Sequence, residues 1–118
     1  METTEKNRFS ILLEQLINMG EVKNSSLAAA LRYDPSYISK WITGRILPAE
    51  KTKQKVLRGI SQEIVRQSTQ SVMETLSANY QITDSEELQT VIYDNLEAEY
   101  NYVMELQNMQ NVSAGIVS

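Results

Sequence analysis

"LAAALRYDPSYISKWITGRILP", Leu27 to Pro48, is the stretch on which the fold turns. Leu27 and Leu31 are four residues apart, with small Ala28 and Ala30 between them, so a second helix can approach closely. "RYD" then turns the chain. Asp34 is placed to cap a new helix, and Pro35 falls at its first position, where a missing N–H costs nothing. Over Pro35 to Thr43, Ile38, Trp41 and Ile42 fall on one helical face, with Tyr37, Ser39 and Lys40 on the others. Gly44 ends the segment. The spacing predicts two short helices joined by a tight turn.

Upstream, Phe9, Leu12, Leu13, Leu16 and Ile17 share one face of a helix predicted over Arg8–Met19, with Gly20 as its stop. "EVKN" is a connector, and Ser25 or Ser26 is the expected cap of the next helix. Downstream, "RILP" links to a helix opening at Pro48 or Ala49 with Val56, Leu57, Ile60, Ile64 and Val65 apolar. Its end is open between Gly59 and about Tyr80, since one interior glycine costs only about 1 kcal/mol. Asp84, with Glu87 three residues on, starts a last helix. Leu88, Val91, Ile92, Leu96, Tyr100, Val103 and Leu106 follow at helical spacing to around Met109. The tail "NVSAGIVS" carries no strong pattern. No stretch alternates apolar and polar for long, so the expected class is all-α.

Composition narrows the chemistry. The 118 residues are 42% hydrophobic and 22% charged, as in a folded chain. There is no Cys and no His, which removes disulfides, the usual zinc ligands and Ser-His or Cys-His nucleophile pairs. Glu86, Glu87 and the other acids are spaced as a solvated helix face, and no EF-hand loop is present. No enzyme, cofactor or metal is therefore expected. No apolar run reaches the roughly 20 residues that span a bilayer, and "METTEKNRFS" lacks an apolar signal core. A cytoplasmic location is the expectation. The net charge of −4 divides unevenly: residues 1–60 hold ten Lys/Arg and six acids, net +4, and residues 61–118 hold one Arg and nine acids, net −8. A polyanion partner, if present, belongs to the front half.

The run Leu27-Ala28, Leu31, Tyr33, Ser36, Ile38, Trp41, Gly44, Pro48 resembles the Cro/lambda-repressor-like (xenobiotic-response-element, Xre type) helix-turn-helix family, over roughly Phe9 to Ile64. "SYISKWITGRILP" is the most specific part. The resemblance implies a four- to five-helix DNA-binding domain over residues 1–65, followed by an acidic helical extension over 66–118. It implies a bacterial or phage transcriptional regulator, such as a repressor, that binds double-stranded DNA as a homodimer. Helix 35–43 would enter the major groove, with Pro35, Ser36, Tyr37, Ser39 and Lys40 near base edges. Asn24, Ser26, Thr43, Arg45, Lys51 and Lys53 would meet the phosphate backbone. The family often has glycine where this chain has Arg32, a position of positive φ. Arg32 is thus expected to be strained, or the turn to be of another type.

Bland readings stand beside these. Ser36 can simply stiffen a helix start, Tyr37 can be half-buried packing, and Lys51, Lys53 and Lys55 can be a solvated face. Trp41 is expected in the core. The wide apolar stripe of the last helix needs a cover. A dimer seam through Leu88, Ile92, Leu96, Tyr100 and Val103 is the favoured expectation, and an intramolecular helical hairpin the alternative. Tyr80, Tyr93, Tyr100 and Tyr102 read as packing residues. The competing function is a helical protein-interaction module (adaptor, antitoxin-like or inhibitor) without specific DNA binding.

Overall fold

A computed structural model describes residues 6–67, 73–75, 78–79 and 84–117, with side chains as far as Met109. The described residues are all helical or irregular, with no strand. Five α-helices are described here: α1 (Arg8–Gly20), α2 (Asn24–Leu31), α3 (Pro35–Thr43), α4 (Lys53–Gln67) and α5 (Ser85–Val117). A 3₁₀ turn, Glu50–Thr52, precedes α4, so that helix opens a few residues later than Pro48 or Ala49. Residues 68–72 and Tyr80, into which α4 was open to continue, lie outside the described residues.

Local chemistry sets the helix ends. Asn7 caps α1: its side chain accepts from the Ser10 N–H at 2.8 Å, and the Ser10 hydroxyl accepts from the Asn7 N–H at 2.8 Å. This reciprocal box satisfies two otherwise orphaned donors. The left-handed stop of α1 is Glu21 (φ 53), not Gly20. Gly20 stays inside the helix, where the missing side chain lets α4 come close: a Cβ there would sit 3.1 Å from Ile64 Cγ2. The start of α2 also differs from expectation. Asn24, not Ser25 or Ser26, leads it, and its N-cap Lys23 makes no side-chain cap bond. Asp34 does cap α3, accepting from the Ser36 N–H at 2.9 Å, and Gly44 (φ 82) closes it. The Asp84 side chain accepts from the Glu86 N–H at 3.0 Å at the start of α5. The backbone of α5 then runs to Val117, eight residues past the expected end.

One hydrophobic cluster joins all five helices. Phe9, Leu13, Leu16 and Ile17 of α1 meet Leu27 and Ala28, Ile38 and Trp41, then Val56, Leu57, Ile60 and Ile64 of α4. The same cluster takes in Leu88, Ile92, Leu96, Tyr100 and Val103 of α5. These five residues are 0–5% exposed within the single chain. That corrects the dimer seam expected through them: α5 lies across α1 and α4, and its stripe is already covered. The intramolecular cover wins because burying an aliphatic side chain contributes about 1.5–3 kcal/mol, and α1 and α4 offer apolar faces within the same chain. A boundary at residue 65 accordingly does not separate two cores.

Tyr100 fixes the docking of α5. Its ring stands edge-on to Phe9, with centroids 5.8 Å apart, and its hydroxyl donates to the buried Pro48 carbonyl at 2.7 Å. Burial pushes this phenol above its ordinary pKa, and the nearby Glu50 charge adds to the shift. The connector that follows α3 is thereby tied to a helix fifty residues further along.

Candidate nucleic-acid interface

α3 is nine residues long and two-sided. Ile38 and Trp41, three apart, are buried, and Ile42 is half-buried beside them. Trp41 is therefore core, as expected, and its indole packs against Tyr33 at 5.4 Å between centroids. The opposite side holds Pro35, Ser36, Tyr37, Ser39, Lys40 and Thr43, all exposed. Sequence periodicity dictates this division: once the indole and Ile38 face inward, the helix must turn these six outward.

The leading turn of α3 is partly committed to itself. Ser36 donates its backbone N–H to the Asp34 carboxylate. That bond, the adjacent Ser36 hydroxyl and the Lys40 charge hold that carboxylate below its usual pKa. Asp34 remains ionised at the helix start, where the dipole favours it. Tyr37 stands edge-on to Tyr33 at 5.3 Å, yet stays 43% exposed. It is thus both a packing residue and an outward one. The Lys40 ammonium lies 5.7 Å from the Tyr37 ring centroid, within the range of a cation–π contact.

The trailing end of α3 opens on a shallow concavity of about 360 Å³ lined by Lys6, Ser39, Lys40, Thr43 and Arg45. Four of these five were expected at the interface. Lys6 was not; it comes from the segment before α1, where its ammonium also pairs with Glu14 at 2.6 Å. Nothing in the local sequence around Lys6 signals this, because more than thirty residues separate it from Ser39. Three cations and two hydroxyls in one open hollow suit a phosphate group.

The remaining backbone candidates scatter. Lys51 is exposed on the 3₁₀ turn, and Asn24 and Ser26 are half-buried in the first turn of α2. None of the three lines the concavity. Lys53 needs correcting. Its ammonium sits 3.2 Å from the Glu97 carboxylate, 3.4 Å from the Asn101 amide oxygen and 5.5 Å from the Tyr100 ring centroid. It holds α4 to α5 instead of pointing at a strand of DNA. Arg8 is used likewise, on Glu99 at 2.8 Å and over the Tyr102 ring at 4.2 Å. Acids of α5 thus draw two cations of the basic half away from the α3 face.

The turn before α3 is built on Arg32. Arg32 is left-handed (φ 62, ψ 42), and its N–H and that of Tyr33 bond back to Ala29 and Ala28 at 3.2 and 2.9 Å. The turn geometry that favours glycine is therefore kept with an arginine in it. No helix among the described residues is long and apolar enough to cross a membrane. Comparison with protein-family profiles, with curated proteins and with solved structures gives no match.

Proposed function

We propose that this chain is a sequence-specific double-stranded-DNA-binding regulator built on the lambda-repressor type of helix-turn-helix. α2 and α3 are the paired helices, and α3 enters the major groove. The observation that carries the reading is the sidedness of α3: Ile38 and Trp41 anchor it from behind, while Pro35, Ser36, Tyr37, Ser39 and Lys40 all face out. Lys40 and Tyr37 are the side chains best placed to reach base edges; Lys6, Thr43 and Arg45 close on a phosphate at the trailing end.

Selection of bound sequences from a random duplex pool, followed by anisotropy titrations over a salt series, tests this. Lys40→Glu with Arg45→Glu should abolish binding and leave the helical circular dichroism unchanged. Undiminished binding by that double variant, or no enriched sequence in the pool, would sink the proposal.

A second reading, association through protein contacts, draws on the far end of α5. Beyond Val103 that helix leaves Leu106 and Met109 exposed, and from Tyr102 to Met109 Glu105 is the sole charged residue. A second copy of this chain suits so uncharged a strip, since like charges do not oppose it. It would place the homodimer contact there and not through the five buried residues of α5. Leu106→Glu with Met109→Glu should then lower the molar mass in light scattering to that of the monomer, and an unchanged mass removes this reading.

A further inference from the structure

A second concavity, of about 270 Å³, lies at the end of α2, enclosed by Ala30, Leu31, Arg32, Tyr33, Thr52, Lys55 and Val56. Its walls come from α2, the turn, the 3₁₀ segment and α4. We propose that it binds a small apolar anion, with a flat aromatic carboxylate as the class that fits.

Three observations converge on it. The walls from Ala30, Leu31 and Val56 are hydrocarbon, and the two cations, Arg32 and Lys55, are exposed. Apolar walls with a few convergent polar groups are what small-ligand sites share. Second, the left-handed backbone of Arg32 ends α2 just as that of Glu21 ends α1, and the turn it makes places the Arg32 guanidinium on the cavity lining. Third, the polar corner is bonded internally: the Tyr33 hydroxyl donates to Thr52 Oγ1 at 3.5 Å and the Thr52 hydroxyl donates to the Ala49 carbonyl at 3.3 Å, which leaves the two cations to meet the anion. The volume corresponds to about nine waters, enough for a fused aromatic acid.

The cavity is also wired to α3. Tyr33 lines it, and the same ring packs on Tyr37 at 5.3 Å and Trp41 at 5.4 Å. A ligand that moves Tyr33 moves the side chain that holds α3 from behind and one that faces outward from it. An effect on DNA affinity rests on the function proposed above; binding of the anion does not.

The test uses naphthoate and the neutral naphthalenemethanol as probes, titrated into the full chain and followed residue by residue by NMR. Naphthoate should give saturable shifts centred on residues 30–33, 52, 55 and 56. Arg32→Gly and Lys55→Gln should each weaken it by about tenfold, corresponding to about 1.4 kcal/mol. The alcohol should bind more weakly, and Lys23→Gln, on an exposed lysine outside the cavity, should change nothing. Arg32→Gly suits the left-handed turn, so its fold should survive and its loss of binding is interpretable. Shifts scattered over the surface, equal binding of acid and alcohol, or full affinity in both cavity variants overturn the proposal. DNA titrations with and without naphthoate form the separate arm. DNA binding without naphthoate binding fails this inference alone, whereas naphthoate binding without DNA binding fails only the regulator reading.

Discussion

Replacing Tyr100 by Phe removes one oxygen and nothing else, and the structure says what that oxygen does. It donates to the Pro48 carbonyl at 2.7 Å in a buried setting, while the ring keeps its edge contact with Phe9. In Tyr100→Phe the carbonyl stays buried and loses this donor. Stranding a buried acceptor costs about 1–3 kcal/mol, more than the net worth of an average hydrogen bond. Unfolding entropy of about 2.1 cal/mol/K per residue makes each kcal/mol worth about 4 °C in a chain of this size. The expected fall in Tm is thus about 4–12 °C. Thermal unfolding followed by circular dichroism, at low and high protein concentration, reads it. The difference between variant and parent should be the same at both concentrations, because the bond lies within one chain. A fall of under a degree, or a difference that grows on dilution, would falsify the placement of Tyr100 in the monomer core. It would restore the dimer seam instead.

Other expectations follow from single contacts. Gly59→Ala should change stability in urea unfolding by less than about 1 kcal/mol: the added Cβ meets only the tip of the Leu31 side chain, which can turn into the adjoining concavity, and that small cost offsets alanine's helix-forming advantage of about 1 kcal/mol. A loss of about 3 kcal/mol would mean that Leu31 is held rigidly against α4. Glu63 is 4% exposed and accepts from Arg66 at 3.0 and 2.7 Å and from the Gln67 amide. The Arg66 guanidinium holds its carboxyl below the usual range. Its contribution is present above the ordinary carboxylate pKa and is lost as pH falls through the lowered folded value. Glu63→Gln should therefore flatten the acid limb of the stability–pH curve, and an unchanged limb counts against the pairing. In duplex binding, Arg45→Gln should reduce the log–log salt slope by about 1, whereas Lys53→Gln, already engaged with Glu97, should leave it nearly unchanged. Equal slope losses from the two would show that Lys53 leaves α5 to meet phosphate.

What the chain states by itself is the content of each helix. The three-residue step from Ile38 to Trp41, the Asp34-Pro35 start and the Gly44 stop define α3 and its two faces, since caps and periodicity act within a few residues. The outward set Pro35, Ser36, Tyr37, Ser39 and Lys40 follows directly from that periodicity, and the structure leaves each of them exposed. The stripe of α5 was legible in the same way. Its partner was not, because a stripe announces that it must be covered and says nothing about by what. Only the packed chain decides that Leu88 to Val103 meet α1 and α4, that Lys53 turns to Glu97, and that Lys6 joins Arg45. Those pairings span tens of residues and depend on where helices cross. Even Gly20 and Gly59 take their meaning from a neighbour's side chain, Ile64 for one and Leu31 for the other. Local pattern thus determined the helices and the face of α3, and tertiary contact decided which charges and apolar faces remain for a partner.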